Sequence, residues 1–187
     1  MSESPSRRPA DYADVLAAPD NLVAELVDGE LHTSPRPAAR HARCTTRLVN
    51  RLGPPFDEDR VGPGGWVLLI EPELHLGPHV VVPDLAGWRR ERMPEMPDDP
   101  WFTLAPDWVC EVLSPSTQSF DRVRKMRVYA EAGVRHAWLV DPAAEILEVF
   151  RLHQGSWLRV GSHAGTERVR AEPFDAVELD LAGLWAR

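Results

Sequence analysis

The chain has 187 residues, 43% of them apolar and 27% charged, with 18 Pro, 12 Gly and two Cys. That length suits one domain with a core of its own, two cysteines give no disulfide framework, and the composition excludes a wholly disordered chain. A net charge of −8, from 29 acidic and 21 basic residues, excludes a strongly basic nucleic-acid coat, because phosphate binding is chiefly neutralisation by Lys and Arg; a local basic patch stays open.

Residues 1–10 are expected to form a disordered lead and 11–187 a single domain. The opening MSESPSRRPADYADVL lacks the apolar core of a signal peptide, and no apolar run is long enough for a membrane span. A reducing cytoplasm is the expected compartment, without a membrane partner. DYADVLAAP (11–19) predicts a short helix ending at Pro19. LVAELVDGELHTS (22–34) predicts a β-hairpin turning on Asp28-Gly29, a dipeptide suited to positive φ. AARHARCTTRLVNRLG (38–53) predicts a helix stopped by Gly53 and Pro54. Arg40, Arg43, Arg47 and Arg51 recur along it every three or four residues, either as a solvated face or as a grip for phosphates.

Residues 62–77 and 80–88 predict strands, with Pro78-His79 between two of them and Pro83 marking an edge, a strand end or a bulge. Four prolines within 93–106 predict a loop excursion. DWVCEVLS (107–114) has the continuous apolar character of a strand buried on both faces. A helix over about 120–132, closed by Gly133, and an apolar strand at 134–141 complete the pattern of a right-handed parallel crossover. Residues 146–152 and 156–160, with the tail beyond them, predict antiparallel strands. The fold class is α/β, with a mixed sheet.

Three acids stand in apolar strands: Glu25, Asp84 and Glu111. A buried carboxylate must be neutral, ion-paired or metal-bound, so either a salt bridge to arginine or a divalent ion explains them. Asp84 and Glu111 sit at the ends of neighbouring strands, where converging hard oxygens would suit Mg²⁺ or Mn²⁺. All but one of the 21 basic residues are Arg, and the only lysine is Lys125, on the helix that follows the Glu111 strand. Asp121, Lys125 and Tyr129 are spaced by four and share a helical face. That face either looks back at the carboxylates or carries an exposed Asp121–Lys125 pair.

Other chemistry-bearing residues read as structural. His75 and His79 are expected in solvent, Cys110 as an inert packed thiol, and the seven Trp as core or interface. Ser114, Ser116 and Thr117 are expected to cap the helix, since no Gly-x-Ser-x-Gly elbow surrounds them. No phosphate-binding or dinucleotide fingerprint is present, so nucleotide cofactors are not expected.

The segments ELVDGEL (25–31), VVPDLAGW (81–88), PDWVCEVLSPST (106–117), DRVRKMRVYAEAGV (121–134) and HAWLVDP (136–142) resemble the Uma2 family of the PD-(D/E)xK superfamily, from about residue 11 to the C-terminus. The resemblance implies a restriction-endonuclease-like mixed β-sheet flanked by helices, with an N-terminal β-hairpin. It also implies an endodeoxyribonuclease that hydrolyses phosphodiester bonds with Mg²⁺ or Mn²⁺. Asp84 would be the acid of the P-D element, Glu111 the second metal-binding acid and Glu25 an assistant, with the Val112 carbonyl as a further ligand. The superfamily lysine position is Leu113 here, and the resemblance moves that role to Lys125. His41, Arg40, Arg43, Arg47, Arg51, Arg122 and Arg124 are candidate nucleic-acid contacts. DNA is the implied partner, with RNA open, and a homodimer with two sites for two strands is a candidate assembly. A non-cleaving nucleic-acid-binding or assembly protein of the same fold is the alternative.

Overall fold

The computed structural model describes residues 8–185, so positions 1–7 of the expected disordered lead lie outside it. Residues 8–10 are tied down, because Ala10 N donates to Gly29 O at 2.6 Å. The first helix, α1 (Tyr12–Leu16), is short and starts in a capping box. Asp11 accepts from Ala13 N at 3.0 Å, and Asp14 accepts from Asp11 N at 2.9 Å, which satisfies donors that a helix start leaves open.

The hairpin of β1 (Leu22–Val27) and β2 (Glu30–Pro35) turns on Asp28 and Gly29 at φ 56° and 71°. Two successive positive φ values are what a two-residue hairpin loop of matching twist demands. The hairpin does not stand alone. β1 also pairs with β5 (His79–Val81), which pairs with β4 (Leu74–Leu76), giving a four-stranded sheet in the order β2-β1-β5-β4.

Each long stretch expected as one strand is therefore divided. The first yields β3 (Trp66–Ile70) and β4; the second yields β5 and β6 (Leu85–Arg89). Glu71, at φ 46°, breaks the first. Pro83 lies at a strand end and breaks the second, since it has no amide to continue a ladder. The turn between β4 and β5 is Gly77-Pro78, with Gly77 at φ 63°, and His79 already belongs to β5.

The larger sheet has six strands. β7 (Trp108–Val112) pairs in parallel with β8 (His136–Asp141), from Trp108↔His136 to Val112↔Val140. With β9 (Ile146–His153) and β10 (Ser156–Ala164) the order is β10-β9-β8-β7-β6-β3, and every other pairing is antiparallel. All five residues of β7 are buried. Alternation sends Trp108, Cys110 and Val112 into one apolar layer, with Phe174, and Val109, Leu113 and Leu139 into the other, with Tyr129.

Helix α2 (Ala39–Leu52) covers the first layer through Cys44, Leu48 and Leu52. Its α-helical winding ends at Leu52 with Gly53 as the cap, as expected, but the chain does not leave the helical path there. Gly53 keeps a helical φ of −57°, and the chain runs on through a π-helical turn, Gly53–Asp57. Pro54 sits at the start of that turn, where its fixed φ is compatible with helical backbone. Gly62 packs on this turn: a Cβ at Gly62 would meet Pro55 Cβ at 2.5 Å and Pro55 O at 2.6 Å. Gly62→Ala is thus expected to cost about 1–3 kcal/mol through overpacking, read as a lower urea midpoint.

The crossover between β7 and β8 is a continuous helical stretch over 118–131. It consists of α3 (Gln118–Phe120), a π-helical turn at Asp121–Lys125, and α4 (Met126–Glu131). Gly133 at φ 78° closes it, with Val134 N donating to Tyr129 O at 3.0 Å. The C-terminal segment adds the short pair β11 (Arg168–Val169) and β12 (Leu179–Asp180), then α5 (Ala182–Trp185). No helix among the described residues is long and apolar enough to cross a membrane.

A candidate metal and acid site between the two sheets

The link Val82-Pro83-Asp84 carries the chain from the four-stranded sheet into the six-stranded one. Several of its polar groups reach across that junction. Val82 N donates to Glu25 Oε1 at 2.8 Å, and Val82 O accepts from Lys125 Nζ at 2.9 Å. Asp84 Oδ2 accepts from Val112 N at 2.7 Å, while Asp84 Oδ1 lies 3.1 Å from His41 Nε2. One acid from the small sheet, two from the large sheet and its entrance, and one imidazole from α2 thus meet at the end of β7.

Lys125 enters from the crossover helix. Its Nζ is 2.9 Å from Glu111 Oε1, 3.0 Å from Glu25 Oε1 and 3.8 Å from Asp121 Oδ1, and its side chain is only 3% exposed. Asp121 and Lys125 stand four apart in a π-helical turn closed by Met126 N donating to Asp121 O, and residues at that spacing share a helical face. Tyr129, four further on, shares the face, and its hydroxyl donates to Glu111 Oε1 at 2.5 Å.

The charges are unequal. Burial pushes Glu111 well above the usual carboxylate range, and the Lys125 ammonium only partly offsets it. Burial likewise raises Asp121 from 3.8 to about 6, against the pull of Lys125 and a hydrogen bond from Thr117. For Lys125 burial favours the neutral form, but Glu111 and Glu25 outweigh it and hold the ammonium well above its ordinary value. Lys125 is therefore a fixed cation at neutral pH and not a base. His41 is drawn above 6.5: burial opposes its charge, while Asp84 and, more weakly, Asp121 and the Val112 carbonyl favour it.

The Asp121 shift has a sign that can be checked. Its folded pKa lies above its ordinary 3.8, so its charge destabilises the fold progressively as pH rises from about 4 to about 6. In metal-free buffer Asp121→Asn is expected to be more stable than wild type at pH 7.5 by about 1–3 kcal/mol, with the gap closing towards pH 4. Urea unfolding at the two pH values measures it; a gap that does not change with pH would contradict it.

Five residues nominated from sequence are brought together: Glu25, His41, Asp84, Glu111 and Lys125 all line one cavity of about 260 Å³. Val112 is present through its amide, which holds Asp84, and its carbonyl faces His41. The arginines are not brought in. Arg40, Arg43 and Arg51 are exposed and Arg47 is half-buried, and none of them lines the cavity. Arg122 is paired with Glu148 at 2.6 Å and Arg124 with Asp28 at 2.7 Å, so these two are partners of acids and not free phosphate grips. The lining also includes Ser34, Arg36, Glu71 and Asp121, which the sequence reading did not assign. The four-residue spacing of Asp121, Lys125 and Tyr129 was the available signal for Asp121; Arg36, between two prolines, offered none.

The remaining expectations divide. Cys110 is buried with its thiol raised well above its ordinary value by burial, as an inert packed thiol requires. Trp66, Trp88, Trp108 and Trp138 are core. The histidines are not in solvent: His75 lies 2.7 Å from Glu73 and stacks on Trp101, and His79 is buried with Nδ1 accepting from Asp28 N. Ser114 accepts from Thr117 N at 3.3 Å, whereas Thr117 makes no side-chain bond to the helix backbone.

The donor set fits a hard divalent cation. Carboxylates outnumber the ammonium, and burial leaves Glu111 and Asp121 short of positive charge. Among the described residues no three or more His, Cys, Asp or Glu side chains are grouped so that they could hold a metal ion by themselves. Mg²⁺ is commonly held by one or two carboxylates, with waters and substrate phosphates completing its shell.

The fold is restriction-endonuclease-like. Residues 9–182 match the family Uma2, described as "Putative restriction endonuclease", and the chain belongs to that family. The fold is shared with the crystal structure of a putative nuclease belonging to DUF820 from Anabaena variabilis. The match has a TM-score of 0.77 and 21% sequence identity, over 95% of this chain and 98% of that one. No curated protein matches the chain in sequence.

Proposed function

We propose that the protein is a divalent-metal-dependent endonuclease that hydrolyses phosphodiester bonds of DNA. The observation that carries this reading is a buried lysine ringed by Glu25, Glu111 and Asp121, opening with Asp84 and His41 onto one cavity. Asp84 and Glu111 would hold Mg²⁺ or Mn²⁺, which when bound supplies charge for the scissile phosphate and acidity for a water. Lys125 keeps Glu111 and Glu25 fixed and balances part of their charge. Glu25 anchors Lys125 and the Val82 amide, so its part is support. His41 in its charged form orients Asp84 and offers a cation at the mouth of the cavity. Arg36, 59% exposed at the rim and paired with Glu71 only at 3.7 Å, lines the cavity and is better placed than the helix arginines to meet a neighbouring phosphate.

Mn²⁺ calorimetry on wild type and Asp84→Ala, with cleavage of plasmid and single-stranded DNA and of RNA on the same samples, tests the proposal. Wild type is expected to bind Mn²⁺ and cleave DNA, and Asp84→Ala to lose more than about 100-fold in each, beyond the effect of removing an outer partner. Wild type that binds no Mn²⁺ would overturn the reading. Binding without cleavage would favour a non-cleaving nucleic-acid-binding protein.

A further inference from the structure

We propose that Tyr129 is a positioning residue for Glu111, pinning one carboxylate oxygen so that the other is presented to the cavity. The inference rests on the reading of Glu111 as a holder of the metal. Tyr129 is fully buried, and its hydroxyl donates to Glu111 Oε1 at 2.5 Å. The same oxygen is 2.9 Å from Lys125 Nζ. Among the described residues no hydrogen bond reaches Oε2, although Glu111 lines the cavity. Two donors on one oxygen fix the carboxylate's rotation and leave the second oxygen for an incoming ligand.

The choice of donor matters. An O–H···O contact of 2.5 Å lies at the short, strong end for a charged acceptor. A phenol supplies that strength without a second positive charge, which would compete with an arriving cation. Burial first, and then the charge of Glu111, hold the phenol proton in place. The ring is itself packed, fully buried in the apolar cluster that holds Val109, Leu113 and Leu139. A carboxylate held from behind by a neutral donor is how metal ligands are commonly oriented, and loss of such a partner weakens metal affinity about 10–100-fold.

Tyr129→Phe keeps the ring and removes the donor. The variant is expected to bind Mn²⁺ about 10–100-fold more weakly and to need correspondingly more Mn²⁺ for half-maximal cleavage. Its KM for DNA at saturating Mn²⁺ should stay unchanged. A purely structural hydroxyl would lower the melting temperature and leave the Mn²⁺ dissociation constant alone, and that result would overturn the proposal. Wild type that binds no Mn²⁺ would instead overturn the metallonuclease reading, so the two failures are distinct. A second measurement does not depend on the variant folding. The chain has two tyrosines, so fluorotyrosine labelling gives two resonances, assigned with Tyr12→Phe. Titration with Mg²⁺ should shift that of Tyr129; a resonance that does not move while Mg²⁺ binds would also overturn the proposal.

Discussion

Lys125→Met is expected to abolish cleavage and, in metal-free buffer, to destabilise the fold by about 3–5 kcal/mol, the range for stripping one partner from a buried ionic group. The reason is the arrangement around Nζ. Glu25 and Glu111 lie 3.0 Å and 2.9 Å away with side chains almost fully buried, and without the ammonium they face each other uncompensated. The loss is expected to be partly reversed by Mn²⁺, because an ion that binds only the folded state stabilises it by mass action. The melting temperature should therefore rise more on adding Mn²⁺ in the variant than in wild type. Lys125→Arg is not expected to substitute, since a planar fork cannot occupy the compact space between two carboxylates and the Val82 carbonyl. Urea unfolding with chelator and with Mn²⁺ decides the matter; a Lys125→Met protein as stable as wild type in chelator would show that the acids are not held by this cation.

Phe174→Ala is expected to be comparably damaging for a different reason, and to spare the site. The Phe174 ring centroid lies 4.8 Å from those of Phe56, Trp66 and Trp108, and 5.6 Å from that of Trp138. It is the stopper of an aromatic layer built from distant parts of the chain, and its removal leaves a cavity that four rigid rings cannot close. A cost of about 3–5 kcal/mol follows from lost transfer energy plus the void. The layer lies on the face of β7 opposite Glu111, so Mn²⁺ affinity of the folded variant should match wild type. Urea unfolding gives the first quantity and calorimetry the second.

The crossover was legible in sequence because each part carries its own local mark. β7 is a run of apolar residues too continuous for a one-sided strand, and Gly133 supplies the left-handed closure of the helix. The residues of the proposed site stood out because they violate their surroundings: acids inside apolar strands, and one lysine in a chain that otherwise uses arginine. What local pattern could not show was partnership at a distance. Nothing in residues 80–88 says that Val80 pairs with Leu26 while Leu85 pairs with Cys110, so the change of sheet at Pro83 was hidden. Arg124 looked like a free cation until the fold brought Asp28 to it from 96 positions away. His79, four residues from His75, read as solvent because its burial comes from β1 and the crossover helix, not from its neighbours in the chain. Gly53-Pro54 carried a true stop signal for the α-helix, but nothing local announced the π-helical turn beyond it, which brings Phe56 into the aromatic layer.

The widened turn at Asp121–Lys125 also bears on how this chain can change in length. Removing one residue from it would let the helix relax to regular winding and leave Asp121 and Lys125 three positions apart, about 60° from alignment around the axis. They would still be neighbours on one side of the helix, whereas an added residue would place them five apart, about 140° from alignment, and the site would lose its cation or its third acid. Substitutions at the exposed positions of this turn, such as Val123, leave that phase untouched. The crossover helix is therefore expected to accept changes of residue type on its outer side and to tolerate a single-residue deletion inside this turn better than an insertion there.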